Sequence, residues 1–229
     1  RSNGARRSNL MSAHSVPAVH SLLRLSSAEM LEWESDPPEW APASLRRAPF
    51  VVMRRPLPRS GTLPVGVRGD ARSQRAAAWV SVGAVQECIT PQMLAAQHAW
   101  RQPRDFAITP AVAALEEVAA ILDGHGMAGR WGPGGSVGFE LASDVPSTTP
   151  NSDLDIVLAA ASMARADAAR LHAELSALTV RIDVLLETPN GAVALAEYAN
   201  SVDVMLLRSA QGPRLVRDPW RAHVEACQA

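Results

Sequence analysis

With 229 residues, 47% of them hydrophobic and 20% charged, the chain has enough apolar material for one large domain or two small ones. A formal net charge of -1 excludes a polycation built for bulk nucleic-acid binding, and no run of about 18 apolar residues offers a membrane span. All 22 basic side chains are arginine, which excludes lysine Schiff-base chemistry and a P-loop lysine. Any phosphate clamp must then use arginine, backbone N–H groups or a metal.

Residues 1–19 read as disordered, and the start from Arg1 to Leu10, basic and polar, leads into no hydrophobic signal core. Met11 reads as a natural initiator, with 1–10 as upstream sequence. Residues 20–104 read as a small α+β domain rich in proline. It has short strands at Phe50–Met53, Leu63–Arg68 and Trp79–Val82, and a short helix opened by Thr90 and Pro91. Pro103 lies near the expected boundary. Cys88 and Cys227 are isolated and suit reduced thiols of a cytoplasmic protein better than a disulfide framework.

Residues 105–229 read as the catalytic domain. Thr109-Pro110 opens a helix with Leu115, Val118 and Leu122 on one stripe, stopped by Gly124 and Gly126. A strand is expected from about Ser136 to Leu141 and another from about Asp153 to Leu158. A helix carrying Ala164, Ala168, Leu171, Leu175 and Leu178 follows. Then come a strand over Val180–Leu186, a helix from Pro189 to Asn200, and a strand over Val204–Leu207. The whole is an α/β (α+β) chain with its chemistry near the first two strands of the second half.

Three features carry that chemistry. Gly134-Gly135-Ser136 offers backbone N–H groups and a hydroxyl to a phosphate. Asp153 and Asp155 are two apart on a strand, so both can face one divalent ion. Asp183 sits out of phase with Ile182 and Val184, an acid among apolar strand residues that is costly unless paired or metal-bound. A pairing with Arg181 is the competing reading for Asp183, and Glu187 is a reserve ligand or base. Mg²⁺, with Mn²⁺ as a substitute, is the expected metal, since it is commonly held by one or two carboxylates plus substrate phosphates. These features read as a metal-dependent nucleotidyltransferase.

Arg68, Arg72 and Arg75 are spaced four and three apart and would share one face of a helical turn, able to grip phosphates or an acidic partner. A plainly solvated basic face is the alternative, and Arg54, Arg55 and Arg59 pose the same choice. His20 and His125 are not placed in the catalytic set.

Gly-Ser, then Asp-x-Asp, then a third acid on a later strand resembles the DNA polymerase beta-type nucleotidyltransferase superfamily. The long gap from Ser136 to Asp153 then implies an enlarged hairpin. Four runs resemble a narrower family: LPVGVRGDARSQR at 63–75, RWGPGGSVGFELAS at 130–143, SDLDIVL at 152–158 and RIDVLLETPNGAVALAEY at 181–198. That family is the malonate decarboxylase holo-acyl-carrier-protein synthases, or phosphoribosyl-dephospho-CoA transferases. The resemblance implies a donor, 2'-(5''-triphosphoribosyl)-3'-dephospho-CoA, and an acceptor serine on the apo acyl carrier protein of malonate decarboxylase, with pyrophosphate released. It also implies that Asp153, Asp155 and Asp183 are metal ligands and that Gly135 and Ser136 bind phosphate. An adenylyltransferase using ATP, or a noncatalytic binding module on the same fold, are the other readings.

Overall fold

In the computed structural model, which describes residues 16–201 and 203–221, the contacts divide the chain between Thr90 and Pro91. Most of the stretch 1–19, expected to be disordered, and Cys227 lie outside the described residues.

The N-terminal unit is built from β1 (Leu22–Leu25), β2 (Leu31–Trp33), α1 (Ala41–Arg47), β3 (Phe50–Met53), β4 (Thr62–Arg68), β5 (Arg75–Ser81) and β6 (Val85–Ile89). The strands form one antiparallel sheet in the order β2-β5-β4-β3-β1-β6. Alternation along β4 sends Leu63, Val65 and Val67 to one face, where they are buried with Leu23, Val51, Ala78 and Val80. Ala41 and Leu45 of α1 join that core, and each large apolar side chain so buried contributes about 1.5–3 kcal/mol. Helix α1 has proline in its first turn and Arg46 and Arg47 in its last, as the helix dipole favours. Arg47 pairs with Asp70, and that hydrogen bond holds the Asp70 carboxyl below the usual carboxylate range. Cys88 is a free thiol whose partial burial pushes its pKa up.

The C-terminal unit contains α2 (Pro91–Ala96), α3 (Pro110–Ala113), α4 (Leu115–Gly124), β7 (Trp131–Pro133), α5 (Gly135–Ser143), β8 (Leu154–Ala159) and α6 (Arg165–Ser176). It continues with β9 (Ile182–Thr188), β10 (Gly191–Ala194), α7 (Leu195–Asn200), β11 (Met205–Ser209) and β12 (Gly212–Val216). Its mixed sheet runs β12-β11-β10-β9-β8-β7. Among the described strands of this sheet only β8 and β9 pair in parallel, a pairing that needs a crossover connection, here the one carrying α6. Among the described residues no helix is long and apolar enough to cross a membrane.

Several expectations change. The boundary falls at Thr90 rather than near Pro103, because α2 packs on β7 within the C-terminal unit. That packing needs Gly132, where a Cβ would stand 1.8 Å from the Pro91 carbonyl oxygen. The strand expected over 136–141 is helix α5. Residues Val137 to Ala142 are all buried, so the segment shows neither a period of 2 nor one of 3.6. Its glycines allow the close approach: a Cβ on Gly138 would meet the Pro133 carbonyl at 2.6 Å. The gap between Ser136 and Asp153 is therefore a helix and a loop, not an enlarged hairpin. The helix expected from Pro189 is a hairpin first and a helix second. Pro189 and Asn190 turn the chain, Gly191 takes φ +141° opposite Thr188, and α7 starts only at Leu195.

A polar pin holds the segment after α2 against α4. Trp100 Nε1 donates to Glu116 at 2.8 Å, and Arg101 Nε donates to the same carboxylate at 3.0 Å. The hydrogen bonds from Arg101, then Trp100, pull the Glu116 pKa down to about 2. A carboxyl lowered in the folded state adds stability that is full above its ordinary value of 4.5 and fades as the pH falls toward 2. Arg101 and Glu116 are both exposed, so the effect is small. Melting temperatures of the chain and of Glu116→Gln should differ at pH 7 and converge as the pH falls from 4.5 toward 2. A gap that stays constant across that window would contradict the pin.

Candidate active site

The site is built where α5 begins. Strand β7 ends at Pro133, and the Gly134 N–H donates to the carbonyl of Asp155 at 2.8 Å, tying the start of the helix to β8. Gly135 follows in the left-handed region at φ +54°. A Cβ there would stand 1.8 Å from Asp155 Oδ2, so the bare backbone of Gly135 lies against the Asp155 carboxylate. Gly135 is exposed and Ser136 half-buried. The first N–H groups of a helix lack an intrahelical acceptor and carry the positive end of its dipole, so this turn can receive anionic oxygens.

The acids come from β8, β9 and the residues before them. Asp155 lies in β8, exposed between Leu154 and Ile156, which are buried. In the parallel register Asp155 stands directly opposite Asp183 of β9, and neighbouring strands are about 4.8 Å apart. Two acids from distant parts of the sequence thus become neighbours at one end of a strand pair. Asp183 is 42% exposed and is engaged by Arg181 at 3.1 Å, so the pairing with Arg181 is present alongside the register pairing. Asp153 is half-buried and immediately precedes β8. Glu187 shares the strand parity of Asp183 but stands opposite Ala159, four residues and roughly 13 Å along β9, and does not join the acids.

Among the described residues no three His, Cys, Asp or Glu side chains converge into a ready-made metal cage. A cage is not what Mg²⁺ uses in phosphoryl transfer, where one or two carboxylates plus substrate phosphates suffice. Asp155 and Asp183 meet that requirement, and the Gly135 backbone leaves room beside Asp155 that a Cβ would fill. The donor set fits the metal.

The arginine trio belongs to the N-terminal unit and is not a helical turn. Arg68 ends β4, Arg75 starts β5, and the two are cross-strand partners in a hairpin whose connection carries the exposed Arg72. The spacings of four and three mislead because a hairpin, not a helix, brings Arg68 and Arg75 together. Arg75 also donates to the carbonyl of Gln74 at 2.8 Å, which ties its head to the turn. In the second basic cluster Arg54 pairs with Glu34 at 2.8 Å and Arg59 stacks 4.0 Å over the Trp79 ring. Nearby, Arg55 and His20 lie 3.4 Å apart.

One residue beside the site is not singled out by the sequence. Glu140 of α5 is buried, and its carboxylate accepts hydrogen bonds from the segment leading to Asp153. An acid in the run Phe139-Glu140-Leu141 is a signal only once that run is known to be a buried helix.

The comparisons with known proteins agree over nearly all of the described residues. The phosphoribosyl-dephospho-CoA transferase MdcG N-terminal domain matches residues 18–91, and the corresponding C-terminal domain matches residues 94–219. A phosphoribosyl-dephospho-CoA transferase of Pseudomonas fluorescens is 37% identical over 212 residues, covering 92% of this chain and 98% of the relative. That of Pseudomonas putida strain GB-1 is 39% identical over 214 residues, covering 92% and 98%. That of Klebsiella pneumoniae is 37% identical over 207 residues, covering 90% and 97%. No solved structure matches. With both domains matched in order and relatives alike over nearly their full length, the chain belongs to the phosphoribosyl-dephospho-CoA transferase family.

Proposed function

We propose that the protein transfers the phosphoribosyl-dephospho-CoA group from 2'-(5''-triphosphoribosyl)-3'-dephospho-CoA to a serine of the apo acyl carrier protein of malonate decarboxylase. The observation that carries this reading is the pairing of Asp155 with Asp183 beside the glycine start of α5. In the reaction the carrier serine oxygen forms a bond to the α-phosphorus as the bond to pyrophosphate breaks in line with it. The serine proton passes to a base, for which Asp183 is the candidate. Asp155 and Asp183, with Asp153, would hold Mg²⁺ or Mn²⁺, which when bound neutralises phosphate charge and eases deprotonation of the hydroxyl. Ser136 and the first N–H groups of α5 would receive oxygens of the departing pyrophosphate. On the N-terminal unit, Arg68, Arg72 and Arg75 would attract the polyanionic donor or the acidic carrier. The proposed setting is the cytoplasm.

Pyrophosphate release in the presence of apo carrier and Mg²⁺ tests the reading, with the triphosphoribosyl donor compared against ATP. Release with the first donor alone is expected. Release with ATP alone would replace this reading with adenylyl transfer. In the same assay Ser136→Ala should lose about 1–3 kcal/mol in donor binding or turnover while melting like the unsubstituted chain. Early melting with normal turnover of the folded fraction would make Ser136 a structural turn residue instead.

A further inference from the structure

Helix α5 meets Asp155 at its start and, further along, holds the chain that leads to Asp153. Glu140 is 1% exposed. A carboxylate so deeply buried is costly unless its oxygens are hydrogen-bonded. Its Oε2 accepts the N–H of Ser147 at 2.8 Å, the N–H of Thr148 at 2.8 Å and the Thr148 hydroxyl at 2.9 Å. Three hydrogen bonds on one buried oxygen, two of them from consecutive backbone N–H groups, hold this segment to α5. The Thr148 hydroxyl lies 2.8 Å from that of Thr109, the residue capping α3. With the Thr148 proton given to Glu140, Thr109 donates in turn to Thr148. The next turn is closed by Ser152, whose N–H donates to Thr149 O at 3.0 Å and whose hydroxyl accepts from Thr149 N–H at 2.9 Å. Asp153 follows immediately.

We infer that Glu140 is a positioning residue that fixes the 147–152 segment and so sets where the chain delivers Asp153 to the start of β8. The inference rests on the proposed role of those acids. Glu140 touches neither donor nor carrier; it acts through the backbone of Ser147 and Thr148. One helix thereby sets two distances at once, because Gly135 lies against Asp155 while Glu140 holds the approach to Asp153. The three bonds fall on a single oxygen, so an amide oxygen can accept them and the net charge is dispensable.

The test compares Glu140→Ala, Glu140→Gln and Thr148→Val by hydrogen exchange of the 144–153 segment without substrate and by steady-state transfer kinetics. Glu140→Ala should speed exchange at Ser147 and Thr148. It should also lower kcat roughly a hundredfold, the scale of an ångström of misplacement, with little change in the donor KM. Glu140→Gln should restore slow exchange and most of kcat, a rescue that an electrostatic role would not give. Thr148→Val, which keeps the carboxylate and both backbone bonds, should show an intermediate loss of kcat. Unchanged kcat in Glu140→Ala despite freed amides would overturn the inference. If that variant does not fold, unchanged kcat in Thr148→Val overturns it. Exchange is read without substrate, so a failed role for the acids, seen as an active Asp155→Asn, is distinguishable from a failed role for Glu140.

Discussion

Asp155→Asn should fold like the unsubstituted chain and lose transfer by at least a hundredfold, about 3 kcal/mol of transition-state stabilisation. The side chain is exposed, so its replacement by a near-isostere disturbs no core. What it removes is a negative charge at the point where β8, β9 and the start of α5 meet. Steady-state kinetics at saturating Mg²⁺, with melting as the folding control, checks it. Near-normal turnover would remove Asp155 from the site.

Gly135→Ala should have an effect of the same size by a different route. A non-glycine residue in the left-handed region costs about 1–3 kcal/mol of stability, and Gly135 is at φ +54°. Strain is the smaller part of the effect. The new methyl would stand 1.8 Å from Asp155 Oδ2, so the carboxylate must turn away from Asp183 or α5 must withdraw from β8. Gly126→Ala is the matched control. Gly126 is at φ +69° with nothing within 4 Å of a Cβ, so it carries comparable strain without obstruction. Transfer rates should fall about a hundredfold in Gly135→Ala, as misplacement of a reacting group does, and stay normal in Gly126→Ala. Equal losses in the two would mean that backbone strain, not the approach to Asp155, sets the effect.

The sequence reveals those parts of the fold whose patterns are local. Leu63, Val65 and Val67 alternate and lie in β4; Leu115, Val118 and Leu122 share a stripe and lie in α4. Asp155 and Asp183 are also legible, as acids in otherwise apolar strands, although their register is not. Only the parallel pairing of β8 with β9 sets them opposite each other.

What escapes the sequence has physical causes. Residues Val137 to Ala142 are buried on every side, so α5 presents no amphipathic period. The arginine spacing in 68–75 fits a helix, but it is cross-strand pairing that brings Arg68 and Arg75 together, with Arg72 in the connection. Glu140 gains its meaning from donors seven and eight residues downstream, a separation that no single-element period describes. The unit boundary is hidden because α2 belongs with β7 through the missing side chain of Gly132, far along the chain.

Intact-mass spectrometry of the purified apo carrier protein, incubated with the triphosphoribosyl donor and Mg²⁺, tests the central claim most directly when run with the unsubstituted chain and with Asp155→Asn. The account predicts that the carrier gains the mass of one phosphoribosyl-dephospho-CoA group on a serine with the former, and gains none with the latter or when Mg²⁺ is chelated. An unmodified carrier with the unsubstituted chain, or full modification by Asp155→Asn, would contradict it.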